Sequence, residues 1–420
     1  MKEIVSSKDV CIMIREVLRL MDKRLIGHGE RVGYVLYCIM AEAGEYEDFE
    51  LAEYAFLGTL HDIGAFKVEK GMEMLQFEVA NPMPHAIYGY LFLKYVSPMD
   101  EVARVIMYSH VENRNLSGVK FENKEISNYI FLAGRYDLYH HSLGERFDYN
   151  KLIRSNAGTH YSEKGLELLD AALVKRDIQQ KLADKSYKEE MDHFYDDLIF
   201  SDEEKEKYLE MLMYISGFRN EYNVIDTITS VYVSREIALR LGCLTDEEME
   251  QLRFGALLHD IGMLTVPLEI VNAPRKLTDE EMATLRRHVE VTSVILRDRI
   301  DPGVLAIAES HHERLDGSGY PRGLKGEDMN LPQKIMQVAD TVTGLTCKRS
   351  FRPTKPKEAV ISILRDEVGR NKFRMDIVET FIGNYDEIME LVHKEAEESL
   401  SMWRRLEKQY EQVKAAFVKK

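Results

Sequence analysis

Apolar residues along this chain recur mostly every three or four positions, the spacing of a helix with one buried face. Val10 to Leu20 carries Ile12, Ile14, Val17 and Leu18, and residues 28–43 continue with Val32, Val35, Leu36, Ile39 and Met40. Residues 51–60 (LAEYAFLGTL) are almost wholly apolar and run straight into His61-Asp62-Ile63-Gly64, so polar groups arrive where a buried helix ends. The same periodicity predicts helices at 85–96, 100–109 and 126–139. Strand-like alternation between tight Asn-Gly or Asp-Gly turns is scarce, and Asp316-Gly317 has no alternating flanks. The pattern predicts an all-α fold.

Residues 173–215 are charged, free of Pro and Gly, and read as a helical linker rather than a flexible one. Within them Ser201 and Glu204 have the spacing of a capping box that opens a new helix. Residues 386–420 form a long C-terminal helix with an apolar stripe through Ile388, Val392, Ala396, Trp403, Leu406 and Tyr410. That stripe suits either a helix lying on the domain core or a dimerisation helix.

The polar residues repeat as well. His28, His61-Asp62-Ile63-Gly64, His85, His110 and Asp137 run in the same order as Asp226, His259-Asp260-Ile261-Gly262, His288, His311-His312 and Asp340. His28 to His61 and Asp226 to His259 are each 33 positions, and the later intervals differ by no more than five. LGTLHDIG corresponds to GALLHDIG, and MYSHVENRN to AESHHERLD. Two tandem copies of one helical domain are therefore expected, at 1–172 and 216–385.

Composition narrows the function. With 56 Lys and Arg against 72 Asp and Glu, the net charge of −16 opposes binding to nucleic-acid polymers or anionic lipid surfaces. Cys11, Cys38, Cys243 and Cys347 have no paired spacing, so neither a disulfide framework nor a zinc knuckle is expected. The N-terminus lacks a basic-then-apolar leader and no run of about 18 apolar residues occurs. A cytoplasmic protein without membrane insertion is the expectation.

Imidazoles and carboxylates without thiolates favour iron, manganese or similar borderline metals, and zinc also fits. His259, Asp260, His288, His311, His312 and Asp340 are too many ligands for one tetrahedral ion, so two or three divalent ions are expected. Two ions a few ångströms apart can share a hydroxide and clamp a phosphate, the arrangement of a phosphoesterase. The run from His311 to Pro321 joins ligands to a Gly-Ser-Gly-Tyr-Pro loop, with Arg314 inside it and Lys348, Arg349 and Arg352 beyond Asp340 as candidate phosphate partners. Arg314 as a salt-bridge partner, Tyr320 as a packing residue, and the three later cations as a solvated turn are the plain structural alternatives.

With HDIG, His288, HHERLDGSGYP and the run from Asp340 to Arg349 in place, residues 216–385 resemble the HD-GYP domain of bacterial cyclic-dinucleotide phosphodiesterases. Residues 1–172 look like a divergent copy from the wider HD phosphohydrolases. The resemblance implies a bundle of about seven helices per copy, an iron or manganese centre, and hydrolysis of cyclic di-GMP, or cyclic GMP-AMP, to pGpG, GMP or their equivalents. It assigns His259, Asp260, His288, His311, His312 and Asp340 as ligands, Asp260 and His311 as catalytic, and Gly319-Tyr320-Pro321 as the substrate loop.

Three positions depart from the family: Asp226 stands for a usual His, Met263 for a Lys and Tyr222 for a Glu. The alternative they raise is a weak or inactive cyclic-dinucleotide receptor. In the first copy His28, His61, Asp62 and Asp137 make a single-metal set, with Lys67 after its HDIG. Val111 replaces the second His of the pair, and NRNLSGVKF stands where the Gly-Tyr-Pro loop belongs. That copy is expected to be regulatory or dimerising, with a homodimer forming through it or through the C-terminal helix.

Overall fold

The computed structural model describes residues 3–68, 82–347 and 354–418. They are helical, and the described residues contain only isolated β-bridges, no strands. The helices of seven residues or more are α1 Ser7–Met21, α2 Lys23–Ala43, α3 Asp48–Thr59, α4 Met83–Val96, α5 Lys124–Leu143, α6 Glu163–Lys175, α7 Ile178–Asp184, α8 Tyr187–Phe194, α9 Asp202–Ser216, α10 Tyr222–Leu241, α11 Asp246–Leu258, α12 Asp279–Leu296, α13 Pro302–Ser310, α14 Leu331–Thr346, α15 Lys357–Gly369, α16 Met375–Gly383 and α17 Tyr385–Val418. The chain divides into an N-terminal unit, Ile14–Tyr208 with Arg404–Lys420, and a C-terminal unit, Met1–Met13 with Leu209–Trp403.

These divisions fall differently from those read off the sequence. Residues 178–208, charged enough to read as a linker, carry Tyr187, Met191, Tyr195 and Tyr208, all buried. Tyr195 packs edge-on against Phe56 at 5.7 Å, and Tyr187 lies 5.7 Å from Tyr34. Arg15 donates to Asp192 at 2.7 Å. Aromatic burial, rather than net polarity, makes this stretch part of the N-terminal unit. At the other end Asp301 donates its N–H to the Ile4 carbonyl at 2.8 Å, which ties the N-terminal residues into the C-terminal unit.

The C-terminal unit has one continuous core. Val233 and Ile237 of α10, Leu252 and Ala256 of α11, Ile307 of α13, and Ile335, Met336, Val338, Ala339 and Val342 of α14 meet Phe381 of α16 and Ile388 and Val392 of α17. Helix starts are fixed by side chains. Thr245 with Glu248 caps α11, Thr278 with Glu281 caps α12, Asp301 followed by Pro302 starts α13, and Asn330 with Gln333 caps α14. Ser201 and Glu204 make the predicted reciprocal bonds at the start of α9.

Two further expectations changed. Of 100–109 only Arg104–Met107 is α-helical; i→i+3 turns surround it, and the Ser109 hydroxyl bonds the Ile106 carbonyl. The stripe of α17 is already covered within the chain: Ile388, Val392, Trp403, Leu406 and Tyr410 are buried, with Tyr410 5.5 Å from Tyr88. That favours a helix lying on its own chain over a free dimerisation face.

Candidate metal centre

In the C-terminal unit, α11 runs to Leu258 and delivers His259 at its last turn, α12 carries His288, α13 ends beside His311 and His312, and α14 carries Asp340. Three imidazoles are oriented from behind. His259 Nδ1 lies 2.7 Å from the Ala256 carbonyl, His288 Nδ1 2.6 Å from Leu285 and His311 Nδ1 2.7 Å from Ala308. Each Nε2 therefore faces the cluster, the arrangement by which a second shell fixes a ligating tautomer. Asp260 sits among them, Oδ1 at 3.2 Å from His288 Nε2 and 3.6 Å from His311 Nε2, Oδ2 at 3.4 Å from His259 Nε2. His312 Nδ1 meets Asp340 Oδ2 at 3.1 Å.

HDIG is tight because α12 crosses close to it. A Cβ on Gly262 would lie 2.0 Å from the His288 carbonyl oxygen, so only glycine lets this backbone approach. Gly262 N–H donates to Thr292 Oγ1 and the Thr292 hydroxyl donates to the His259 carbonyl, both at 3.0 Å.

The electrostatics of the cluster suit cations. Burial alone would raise Asp260 and Asp340; His259 and His288 beside the first, and His312 and His311 beside the second, hold both well below the usual carboxylate range. Burial lowers His259, but Asp260 outweighs it and moves it to about 9, while burial and the neighbouring His312 and His259 push His311 well down. Anionic carboxylates among converging imidazoles fit divalent ions. His288, His311 and His312 present ligand atoms within 4.8 Å of one another. Asp226 is half-buried on α10 and lies outside that group; Met263 follows in a short 3₁₀ turn.

The Gly-Tyr-Pro loop is pinned by a residue that sequence reasoning did not single out. Glu313 is fully buried and accepts from the N–H groups of Arg322 at 2.7 Å and Leu324 at 2.9 Å. Gly319 packs against the main chain, where a Cβ would come within 2.4 Å of Glu313 Cα. The Tyr320 ring lies 4.7 Å from that of His312, with the Arg286 guanidinium 4.8 Å from its centre. Burial, then Asp340 and Asp260, raise the Tyr320 hydroxyl, so it stays protonated. Arg314 turns its donors to the Glu313 and His311 carbonyls at 2.7 and 3.3 Å and lies over Phe373. Lys348, Arg349 and Arg352 lie outside the described residues.

The N-terminal unit assembles its own cluster. His61 Nδ1 lies 2.8 Å from the Gly58 carbonyl, and a Cβ on Gly64 would lie 2.1 Å from the His85 carbonyl oxygen. Asp62 Oδ1 is 3.2 Å from both His85 Nε2 and His110 Nε2; Asp62 Oδ2 is 3.1 Å from His61 Nε2 and 4.0 Å from His28 Nε2. His28 Nδ1 meets Asp137 at 2.7 Å, and Arg31 bonds both oxygens of Asp137 at 2.5 and 2.9 Å. His85 and His110, absent from the single-metal set, thus join His28, His61, Asp62 and Asp137.

Comparison with known proteins gives consistent findings. Residues 219–377 match the HD domain family. Over 388 residues the chain is 28% identical to the 3'3'-cGAMP-specific phosphodiesterase 1 of Vibrio cholerae, covering 87% of this chain and 89% of that one. It is 30% identical over 210 residues to a cyclic di-GMP phosphodiesterase of Thermotoga maritima, covering 49% of this chain and 55% of that one. A solved cyclic GMP-AMP specific phosphodiesterase from V. cholerae superposes with a TM-score of 0.59 at 17% identity, covering 91% of this chain and 98% of that chain, which shows a shared fold.

Proposed function

We propose that this chain, which belongs to the HD-GYP phosphodiesterase family, hydrolyses cyclic di-GMP or a related cyclic dinucleotide such as 3'3'-cyclic GMP-AMP at its C-terminal unit. The observation that carries the reading is the convergence of His259, His288 and His311 on Asp260, each ring held by a main-chain carbonyl behind it. His259, Asp260, His288, His311, His312 and Asp340, with Asp226 as a further candidate, would hold two or three ions of iron or manganese. When bound, such ions supply Lewis acidity to a phosphodiester and make water acidic enough to act near neutral pH.

The chain's own groups do the rest. Tyr320, between His312 and Arg286, offers an aromatic face for a base and a protonated hydroxyl as donor. Glu313 and Gly319 hold the loop that presents it. Lys348, Arg349 and Arg352 are proposed phosphate partners. Arg314 is assigned instead to bracing the His311–Glu313 main chain. Water adds to phosphorus as the P–O3' bond breaks, and the leaving oxygen takes a proton, giving a linear dinucleotide with a 5'-phosphate. The reducing cytoplasm, which suits four free cysteines, is the proposed location. Among the described residues no helix is long and apolar enough to cross a membrane.

The test is anaerobic purification, metal analysis and incubation with cyclic di-GMP and 3'3'-cyclic GMP-AMP, with products resolved by chromatography. A linear dinucleotide is expected. Tight binding without product in fully metal-loaded protein would make the chain a receptor instead.

A further inference from the structure

We propose that Arg286 reads a guanine base of the substrate and so sets which cyclic dinucleotides the C-terminal centre accepts, an assignment that rests on the reading of that centre as a cyclic-dinucleotide site. Arg286 lies on α12 shortly before His288 and is exposed, with its guanidinium 4.8 Å from the centre of the Tyr320 ring. The same ring lies 4.7 Å from that of His312, so the guanidinium stands one aromatic ring away from a candidate ligand. A guanidinium supported on an aromatic face keeps its N–H donors in its own plane, at the edge of the stack. Among the described residues Arg286 has no carboxylate partner. The loop's own guanidinium groups are committed elsewhere, Arg314 to the Glu313 and His311 carbonyls and Arg322 to Glu309 at 3.4 Å.

The ligand follows from what those donors can meet. The scissile phosphodiester falls to the candidate ligands, and Lys348, Arg349 and Arg352 are the phosphate partners proposed above. What a cyclic dinucleotide still offers to an exposed arginine is a base. Guanine presents O6 and N7 as two acceptors side by side, which a guanidinium fork meets with two parallel bonds; adenine sets a donor beside its N7 acceptor. Cyclic di-GMP and 3'3'-cyclic GMP-AMP each carry guanine. The two copies within the chain supply a control. In the register that pairs His85 with His288, Met83 takes the place of Arg286, and that copy also has NRNLSGVKF where Tyr320 and its loop belong. The arginine and its aromatic support are present together in one copy and replaced together in the other.

The experiment measures binding rather than turnover, by equilibrium dialysis of the full-length protein loaded with Ca²⁺, so a chain that binds without hydrolysis is tested equally. Because Arg286 is exposed, its replacement spares the core. Arg286→Ala should weaken binding of cyclic di-GMP roughly 5- to 150-fold, the worth of one bidentate contact to guanine, and leave the affinity for 3'3'-cyclic di-AMP where the wild type has it. Arg286→Lys keeps the charge without the fork and should recover little of the loss. Cyclic di-GMP built with 7-deazaguanine, which lacks N7, should bind the wild type more weakly than the natural ligand, whereas Arg286→Ala should not tell the two apart. An equal loss for cyclic di-AMP, or full recovery with lysine, would make Arg286 a phosphate partner and overturn the base assignment. Wild type that binds cyclic di-GMP and its 7-deaza form alike would overturn it as well, with the substrate class left standing. Wild type that binds none of these dinucleotides would remove both the assignment and the reading of the centre beneath it.

Discussion

Gly262 leaves no room for even a methyl group, since the carbonyl it would strike belongs to His288, itself a candidate ligand. Gly262→Ala must push α12 away from the HDIG turn, at a cost of about 1–3 kcal/mol of the kind seen on overpacking. Hydrolysis should fall more steeply than stability does; urea melts and turnover measured together check this. At Glu313 the cost is electrostatic in origin. Glu313→Ala strands the N–H groups of Arg322 and Leu324 beside a buried void, about 1–3 kcal/mol for each unsatisfied donor. The expected result is a raised KM for the cyclic dinucleotide at unchanged metal content, with Glu313→Gln intermediate. The candidate ligands were legible in the sequence because imidazoles and carboxylates are rare in apolar surroundings and recur in order. Glu313 was not, because a glutamate after two histidines reads as an ordinary solvated charge until the loop folds back over it.

At the scale of elements, α11, α12, α13 and α14 of the C-terminal unit each start at a side-chain cap, so their register, and with it the height of the candidate ligands at or beside their ends and along them, is set locally. Thr278→Ala removes the acceptor for the Glu281 N–H at the start of α12 and should cost about 1 kcal/mol in chemical denaturation. Arg275 and the Thr278 N–H hold Glu281 at about 2, below its ordinary 4.5. A depressed folded value stabilises above the ordinary one and loses that effect as pH falls through the folded one. The stability difference between the wild type and Glu281→Gln should therefore be constant above about pH 5 and shrink from 4.5 toward 2 in a pH series of urea melts. Helical period and capping boxes made most of α1 to α17 legible. The 100–109 segment was not, because its apolar spacing is kept by i→i+3 turns. Nor was the membership of 178–208, where four buried aromatic and apolar side chains outweigh many charges.

Across the whole molecule, two buried centres share an HDIG turn, a glycine under the following helix's carbonyl and a ring-orienting carbonyl behind the first histidine. They differ in what surrounds the converging side chains: a pinned Gly-Tyr-Pro loop in one, a cleft bordered by Lys23, Arg24 and Arg31 in the other. The repeat was visible in sequence, but the split of Asp62 between His28/His61 and His85/His110 needed the folded chain, because spacing alone says nothing about which oxygen faces which ring. The central claim is that cyclic-dinucleotide hydrolysis belongs to the C-terminal centre. The most direct test compares Asp260→Asn with Asp62→Asn in the full-length, metal-loaded protein, following the linear dinucleotide by chromatography. Asp260→Asn should lower turnover by more than about 100-fold, beyond the effect of disturbing an outer-shell partner, while Asp62→Asn leaves it within a few-fold. Loss of turnover in Asp62→Asn with Asp260→Asn still active would contradict the account.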